Sequence, residues 1–296
     1  QVSFNNVKNM IFCGMGGSAL PAEIIKSVCE LNVPFVIVRD YKVPKWVNSD
    51  TLAFVVSYSG NTEETLSAYE DVRSKGAQMA ALSSGGELEV RALRDNVAFI
   101  KVPSGMQPRM GYAYQAIPLL RILAENGFTE QVDWDKIALF VENERKHIVE
   151  SARLIADAIG KKTPLIYSSP RFFAAAYKWK KNLNENSKMH AFANTIPESN
   201  HNEINAYMDK PYSYIGLMLS DAEDHPRIAK RMDAVAAVMK TSGMAVLSVK
   251  SKGANTVERL FFTVYLGDWV SYFLAIGRNI DPTPVEMVEK LKKEMK

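Results

Sequence analysis

Cysteine is scarce in this sequence, with only Cys13 and Cys29 among 296 residues, and both lie in apolar stretches. This is not the pattern of a disulfide-stabilised secreted protein, and it indicates buried, reduced thiols in a cytosolic one. Side chains with the spacing of a metal site are also missing. We therefore expect a cytoplasmic protein that binds no metal.

An excess of charge of either sign is missing as well. The 36 lysines and arginines are balanced by 33 aspartates and glutamates, and both signs are mixed along the chain, which leaves a formal net charge of +3. This balance argues against nucleic acids and acidic membranes as partners. With 47% hydrophobic and 23% charged residues, the composition is that of a globular protein. The length suits two α/β lobes, each with its own core.

Long hydrophobic runs are absent except for one, residues 260–277. A membrane-spanning helix needs about 20 apolar residues, so this run is nearly long enough. Asp268 lies in its middle, however, and Arg259 and Arg278 bracket it. These charges favour a helix buried between lobes or subunits, and a helix of this kind also suits an oligomer interface.

What the sequence does contain is an alternation of strand-like and helix-like segments. In the first half, the predicted strands cover residues 9–13, 34–38, 52–56, 78–82 and 98–102, with helices between them. This order predicts right-handed crossovers and a parallel sheet. We expect a first lobe over residues 1–128, a connecting helical segment over 129–160 and a second lobe over 161–296.

The turn after the third predicted strand is rich in hydroxyl side chains. Ser57, Ser59 and Thr62 surround Gly60, and the residues that follow have helical spacing. The free N–H groups and the positive dipole end of a helix N-terminus favour an anion, so this turn is a candidate phosphate site. The alternative is an ordinary helix N-cap, for which one hydroxyl would suffice.

The second half of the chain repeats the order of the first. A strand over residues 214–220, a helix over 225–241 and a strand over 244–249 match the parts around the hydroxyl turn. The predicted fold class is therefore α/β, with two related doubly wound lobes, each a parallel sheet flanked by helices. An acidic turn, residues 221–224, stands where the first lobe has its hydroxyls. Only the first lobe is therefore expected to hold a phosphate.

A glycine-rich turn follows the first predicted strand. Its sequence, residues 14–19, fits the pattern G-x-G-x-x-A, and Asp40 ends the next strand where a ribose-binding acid would be expected. A nicotinamide-dependent oxidoreductase is therefore one hypothesis. It leaves the hydroxyl turn unexplained, and two such turns at one sheet edge suit a small phosphorylated, polyhydroxylated ligand better.

Charged side chains near these turns could carry chemistry. Arg109 follows the last strand of the first lobe and could stabilise an anionic oxygen, unless it is a solvated surface residue. Glu198, His201 and Glu203 lie together in a polar segment, where a carboxylate in a partly dry cleft is a candidate general base. Helix capping by the neighbouring asparagines is the alternative, and a metal site is a poor interpretation.

Two further candidates lie towards the C-terminus. His225 begins a predicted helix, and a helix N-terminus disfavours a charged imidazolium, so a neutral, proton-accepting ring is expected. Lys290 lies in a terminal helix and by itself reads as a surface lysine.

Taken together, these motifs resemble the sugar isomerase (SIS) domain proteins, and among them the bifunctional phosphoglucose/phosphomannose isomerases. The resemblance covers nearly the whole chain. It is carried by Gly14-Met15-Gly16-Gly17-Ser18, Arg39-Asp40-Tyr41, Ser57-Tyr58-Ser59-Gly60-Asn61-Thr62, Gln107-Pro108-Arg109, Pro197-Glu198-Ser199-Asn200-His201-Asn202-Glu203, His225-Pro226-Arg227 and Asp281-Pro282-Thr283-Pro284.

The resemblance implies an aldose–ketose isomerase that interconverts glucose 6-phosphate or mannose 6-phosphate with fructose 6-phosphate through a cis-enediol. It implies a small-molecule sugar phosphate as substrate, no metal or organic cofactor, and a homodimer with shared active sites. By the same resemblance, the phosphate is held by Ser57, Ser59 and Thr62, and the sugar is lined by Gly16, Gly17 and Ser18.

The resemblance also implies roles for the charged candidates. Glu198 would be the base that moves the proton between C1 and C2, with Glu203 as the alternative, and Arg109 would stabilise the enediolate. His225, reaching in from the partner subunit, would open the sugar ring together with Lys290. Thr283 would be the small residue that admits both C2 epimers.

Other functions remain open at this point. A non-catalytic sugar-phosphate sensor could use the same fold, but it would leave Glu198, His225 and Lys290 without a shared purpose. Another SIS sugar-phosphate isomerase, including one acting on amino sugars, is a further alternative.

Overall fold

The computed structural model describes residues 2–208 and 213–295. The strands are Asn9–Cys13 (β1), Phe35–Val38 (β2), Thr51–Val56 (β3), Gln78–Ser83 (β4), Ala98–Lys101 (β5), Thr163–Ser168 (β6), Phe192–Thr195 (β7), Tyr214–Ser220 (β8) and Ala245–Lys250 (β9). The helices are Leu20–Val28 (α1), Glu63–Ser74 (α2), Gly86–Arg94 (α3), Tyr112–Glu125 (α4), Trp134–Ile159 (α5), Phe173–Glu185 (α6), Pro226–Thr241 (α7), Thr256–Gly277 (α8) and Glu286–Glu294 (α9). Short 3₁₀ turns cover Gly16–Ala19, Pro170–Phe172, Glu198–His201 and Glu203–Met208.

The chain divides into two compact units between Val132 and Asp133. The long helix α5 therefore belongs to the second unit, where Trp134 packs edge-on against Phe261 of α8 with ring centroids 6.0 Å apart. The predicted limits of a separate connecting segment, residues 129–160, stay a prediction.

The first unit contains one parallel sheet with the strand order β2-β1-β3-β4-β5. From β1 the chain crosses to β2 on one side and then returns to β3 on the other. The strand order thus reverses between β1 and β3, and ligands of such sheets bind outside the carboxyl ends of the strands at this switch point. Strand β3 is buried along its whole length, as expected for a central strand of a doubly wound sheet.

The second unit repeats this layout with the parallel order β7-β6-β8-β9, so its switch point lies between β6 and β8. The prediction of two α/β lobes with parallel sheets and flanking helices is confirmed. Strand β7 was not expected, because it is short and only partly buried, and so has no long apolar run to mark it.

Both cysteines are free thiols. Burial, with a smaller contribution from the charge of Asp71, raises the pKa of the Cys13 thiol to about 12, so Cys13 is inert at neutral pH. Cys29 is only partly buried, which corrects the expectation that both thiols are inside. The reason is its position just after the last turn of α1, at the edge of the packed layer.

Helix α8 is long and apolar enough to cross a membrane by length and composition, but 67% of its apolar window is buried within the protein. Its Asp268 side chain is 6% exposed and lies 2.7 Å from Lys178 Nζ of α6, which is 1% exposed. Lys178 also donates a hydrogen bond of 2.8 Å to Asn182 Oδ1. The charge that argued against a membrane span is thus one half of a buried ion pair, and α8 is an interior helix.

Replacing Lys178 with methionine should strongly destabilise the protein. The carboxylate of Asp268 would be left in the interior without its counter-ion, and removing one partner of a buried pair costs about 3–5 kcal/mol. Urea denaturation at pH 7 measures this loss. The matched control is Lys292→Met, which removes an exposed pair with Glu289 and should cost at most about 1 kcal/mol. Equal losses for the two variants would contradict the prediction.

Candidate active site

Two turns meet at the carboxyl edge of the first sheet, at the switch point between β1 and β3. The N–H of Tyr58 donates a hydrogen bond of 2.9 Å to Ser18 Oγ, which joins the hydroxyl turn to the glycine turn. A Cβ on Gly14 would lie 2.9 Å from the Ser18 carbonyl oxygen and 3.0 Å from that of Val56. The glycine therefore allows the two backbones to approach this closely.

Two hydroxyls of the turn, those of Ser57 and Thr62, face one another, and that of Ser59 accepts a hydrogen bond of 3.3 Å from the N–H of Asn61. Ser57 Oγ lies 2.9 Å from Thr62 Oγ1 and accepts a hydrogen bond of 3.1 Å from the N–H of Gly60. Thr62 is the N-cap of α2, yet its side chain makes no capping hydrogen bond. Ordinary capping therefore does not explain these hydroxyls. Ser59 is exposed and Ser57 is buried, so the turn has one hydroxyl at the protein surface and another in the interior.

Gly60 is required by the conformation of this turn. Its φ is +72°, in the region that disfavours L side chains, and a Cβ there would come within 1.8 Å of the Gly85 carbonyl oxygen. The Gly60 carbonyl in turn accepts a hydrogen bond of 2.9 Å from the N–H of Leu88. The start of α3 is therefore packed directly behind the hydroxyl turn.

A third segment carries Arg109 to the same place. A Cβ on Gly17 would lie 2.9 Å from the backbone N of Arg109, so the two backbones are in contact. Arg109 is only 2% exposed, and it donates a hydrogen bond of 3.2 Å from Nη1 to Gln107 Oε1. The interpretation of Arg109 as a solvated surface residue is wrong. Its contact with the glycine turn holds it at the edge where the first sheet ends.

Glu198 and Glu203 have different surroundings in the second unit. Glu198 is exposed at the start of a 3₁₀ turn, and it accepts a hydrogen bond of 3.2 Å from Asn202 Nδ2. Glu203 is half-buried, its Oε2 accepts 2.8 Å from the hydroxyl of Tyr167, and its Oε1 accepts 2.5 Å from Asn194 Nδ2. The Glu198 carboxylate is thus exposed at the surface, whereas each oxygen of the Glu203 carboxylate accepts a hydrogen bond from a neighbouring strand.

Tyr167 and Asn194 were missed by sequence reasoning. They lie near the carboxyl ends of the neighbouring strands β6 and β7, 36 and 9 positions from Glu203. Nothing in a single sequence links these positions, because the parallel pairing of the two strands brings them together. A polar residue at the end of an unrecognised strand was the only signal available.

The remaining candidates lie on separate elements. His225 is the exposed N-cap of α7, and its Nδ1 accepts a hydrogen bond of 3.1 Å from the N–H of Arg227. Thr283 and Lys290 are exposed in the terminal segment. Within the described ranges, no hydrogen bond joins Glu198, His225 and Lys290.

The second switch point is occupied by the protein's own charges. Asp221 follows β8, its side chain is fully buried, and its Oδ2 lies 2.8 Å from Nε of Arg259. Arg171, which follows β6, is paired with the other oxygen, and Ser251 Oγ donates a further bond of 2.7 Å to Oδ2. A carboxylate thus sits between two guanidinium groups where the first unit has its hydroxyl turn. Groups of three or more metal-ligating side chains were not found in residues 2–208 and 213–295.

Similar proteins identify the family of this chain. Residues 148–295, half of the chain, match the family described as the bacterial phospho-glucose isomerase C-terminal SIS domain. A bifunctional phosphoglucose/phosphomannose isomerase from Caldicellulosiruptor bescii is 37% identical over 100% of this chain and 91% of its own length. The chain belongs to the bifunctional phosphoglucose/phosphomannose isomerase family.

Two other similarities mark the breadth of this group. A D-glucosamine-6-phosphate 4-epimerase from Sulfolobus acidocaldarius is 33% identical over 68% of this chain and 64% of its own length. The crystal structure of a "putative phosphosugar isomerase" from Salmonella typhimurium LT2 superposes with a TM-score of 0.71 at 20% identity, covering 94% of this chain and 90% of that one. At that identity the superposition supports the SIS fold alone.

Replacing Gly60 with alanine should disrupt the hydroxyl turn. The new methyl group would collide with Gly85 and the backbone would be strained, so we expect a loss of more than about 2 kcal/mol in the free energy of unfolding. Gly76→Ala is the matched control, because Gly76 has a similar φ of +68° but open space around its Cβ. That variant carries the backbone strain alone, about 1–2 kcal/mol. Urea denaturation of both variants measures the loss in the free energy of unfolding. Equal losses for Gly60→Ala and Gly76→Ala would contradict the predicted collision with Gly85.

Proposed function

We propose that this protein is an aldose–ketose isomerase that interconverts glucose 6-phosphate or mannose 6-phosphate with fructose 6-phosphate. The observation that carries the proposal is the 37% identity, over the whole chain, to a relative that bears both activities in its name. The joined turns at the first switch point support it, since they offer hydroxyl and N–H donors where a doubly wound sheet binds ligands.

The phosphate end of the substrate is assigned to the first unit. Ser57, Ser59 and Thr62 would donate to the phosphate oxygens, and the turn that contains Gly16, Gly17 and Ser18 would line the sugar. The start of α2 adds the positive end of its dipole. At the second switch point Arg171 and Arg259 are already paired with the buried Asp221, which supports a single phosphate site per chain.

The proton between C1 and C2 would be moved by one carboxylate. It removes the proton from C2 of the open-chain aldose, and the electrons of that bond form the enediolate with its charge on O1. The hydroxyl proton moves from O2 to O1, and the same carboxylic acid then returns a proton to C1 as C2 becomes the carbonyl carbon. Arg109 would stabilise the negative oxygen that develops in between. All atoms and electrons are conserved within the sugar, so the reaction consumes no redox partner, and no cofactor is part of the proposal.

Of the two carboxylates, Glu198 is the proposed base and Glu203 is the alternative. Glu198 is exposed and accepts a hydrogen bond from Asn202, so its oxygens can approach a substrate. Both oxygens of Glu203 already accept hydrogen bonds from Tyr167 and Asn194, which suits a structural role. Ring opening by His225 with Lys290, and admission of both C2 epimers by Thr283, complete the proposed set.

The assembly and location of the enzyme are also proposals. We propose a cytoplasmic homodimer in which His225 acts in the partner's site. The exposed position of His225 at the start of α7 leaves it available to a second copy of the chain, and the free thiols suit a reducing compartment.

The isomerase and its base are tested together in deuterated water. With fructose 6-phosphate as substrate, the wild-type protein should produce glucose 6-phosphate and mannose 6-phosphate that carry deuterium at C2. Glu198→Gln should lower kcat by at least about 100-fold, since general bases contribute about 10²–10⁴. Glu203→Gln is the matched control and should retain most activity. The reverse ranking would move the base to Glu203.

One other activity is favoured by a specific observation, the 33% identity to a glucosamine-6-phosphate 4-epimerase. That reaction inverts C4 and leaves C1 and C2 unchanged. Glucosamine 6-phosphate is therefore included as a second substrate. Turnover of this sugar at C4 without any conversion of fructose 6-phosphate would overturn the proposed isomerase, and binding of both sugars without turnover would indicate a sensor.

A further inference from the structure

The side chain of Tyr58 connects the hydroxyl turn to residues 103–111, which follow β5 and which we call the Arg109 segment. Tyr58 belongs to the hydroxyl turn, yet it is only 5% exposed. Its hydroxyl donates a hydrogen bond of 2.8 Å to the Pro103 carbonyl oxygen and accepts one of 3.1 Å from the N–H of Met106. A single phenol thus joins two points of the bend that leads to Arg109.

The backbone of Tyr58 is held by other groups. Its N–H donates to Ser18 Oγ at 2.9 Å. Its carbonyl oxygen accepts a hydrogen bond of 2.8 Å from the N–H of Ser84 and one of 2.7 Å from Ser84 Oγ. The phenol takes no part in these three bonds, so the hydroxyl turn keeps them without it. The contacts that require the phenol are those with the Arg109 segment.

A second buried side chain, Gln115 on α4, holds the other end of the Arg109 segment. Its Nε2 donates hydrogen bonds of 3.2 Å to the carbonyl oxygens of Pro108 and Gly111, and the residue is fully buried. Its Oε1 is buried and has no hydrogen-bond partner among the described residues. Burying an unpaired amide oxygen costs free energy, and an apolar side chain would avoid that cost. Packing alone therefore does not explain an amide at this position, whereas its two bonds to the segment do.

The two side chains meet at Gly111, the last residue of the segment. A Cβ on Gly111 would lie 3.0 Å from Tyr58 Cε2 and 3.7 Å from Gln115 Nε2. Arg109 lies between the two anchored ends, is 2% exposed, and has its backbone N in contact with Gly17. The hydroxyl turn, the glycine turn and α4 thus each hold the segment at a different point.

We propose that Tyr58 and Gln115 are positioning residues that hold the Arg109 guanidinium where the negative oxygen of the enediolate develops. This inference rests on the proposed function, because it concerns the group that stabilises that charge. Both residues act through Arg109 without contacting the sugar. A donor stabilises a developing charge only when it is in place beforehand, and loss of one such donor costs about 10²–10³ in kcat. The Tyr58 phenol also links the turn proposed to bind the phosphate to the group proposed to act at the other end of the substrate.

The test uses Tyr58→Phe and Gln115→Met, assayed with fructose 6-phosphate. Tyr58→Phe keeps the aromatic ring and the backbone bonds of the hydroxyl turn, so KM should change little. Its kcat should fall about 10- to 100-fold, because misplacement of a catalytic group by about 1 Å can cost a hundredfold in rate. Gln115→Met preserves the volume, loses the two donated bonds and loses no accepted bond. It should lower kcat in the same way.

Two inhibitors separate positioning from a general loss of structure. In 5-phospho-D-arabinonohydroxamate the hydroxamate group copies the enediolate, whereas glucitol 6-phosphate carries its phosphate on an uncharged open chain. Removing an interaction that is made only in the transition state weakens binding of the transition-state analogue and leaves ground-state binding unchanged. In both variants the inhibition constant of the hydroxamate should therefore rise by the factor by which kcat/KM falls, and that of glucitol 6-phosphate should stay the same.

Tyr69→Phe is the matched control. Tyr69 on α2 is fully buried in the same unit, and its hydroxyl lies 3.1 Å from the Arg91 carbonyl oxygen and 3.0 Å from Asp95 Oδ2. These contacts join α2 to α3 and its C-terminal end rather than to the Arg109 segment. The control loses the same chemical group from a comparably buried ring, so its melting temperature should fall while kcat and both inhibition constants stay unchanged.

Unchanged kcat and unchanged hydroxamate binding in folded Tyr58→Phe and Gln115→Met would overturn the proposal. Equal losses of kcat in Tyr58→Phe and Tyr69→Phe would also overturn it, since destabilisation alone would then explain both. Thermal melting identifies a variant that fails to fold, and the other variant then carries the test. Full activity of Arg109→Gln would instead refute the role of Arg109. Absence of any conversion of fructose 6-phosphate by the wild-type protein would refute the isomerase, so these failures are distinguishable.

Discussion

The parallel pairing of β1 with β3 is the interaction on which the candidate site depends. It aligns Cys13 with Val55, so both strands end at the same edge and their turns emerge side by side. The bond from the Tyr58 N–H to Ser18 Oγ then joins two segments that are 40 residues apart in the chain. Without this register, the glycine turn and the hydroxyl turn would be unrelated loops.

The second unit uses the same backbone design for a different purpose. Gly60 N–H bonds to the Ser57 carbonyl at 3.0 Å, and Asp224 N–H bonds to the Asp221 carbonyl at 3.1 Å, so both units make the same kind of turn after the equivalent strand. In the first unit the turn presents hydroxyls, which can exchange water for a phosphate at little cost. In the second, Asp221 is buried with Arg259, and separating these charges would leave one of them desolvated and unpaired. One turn is suited to binding and the other to holding its own unit together.

Part of this organisation was readable from residue patterns. The parallel sheets followed from the rhythm of apolar runs, and the burial of α8 followed from Asp268 in its middle, because an isolated charge does not favour a membrane interior. Arg109 could not be decided in this way. Whether an arginine is solvated or buried depends on which segments pack around it, and a sequence does not contain contacts such as the one between the backbones of Arg109 and Gly17. The same holds for Glu198 and Glu203, which have the same chemistry and differ only in what surrounds them.

The sequence by itself determined the fold class, the two related lobes and the chemistry of the hydroxyl turn, since these depend on local periodicity and on side-chain type. Only the tertiary structure decided which carboxylate is held and by what. Tyr167, Asn194 and Glu203 come from two strands and a 3₁₀ turn, and strand pairing alone brings their polar atoms within hydrogen-bond distance. A short-range sequence pattern cannot predict that these three side chains are neighbours, because their positions depend on the packing of the whole second unit.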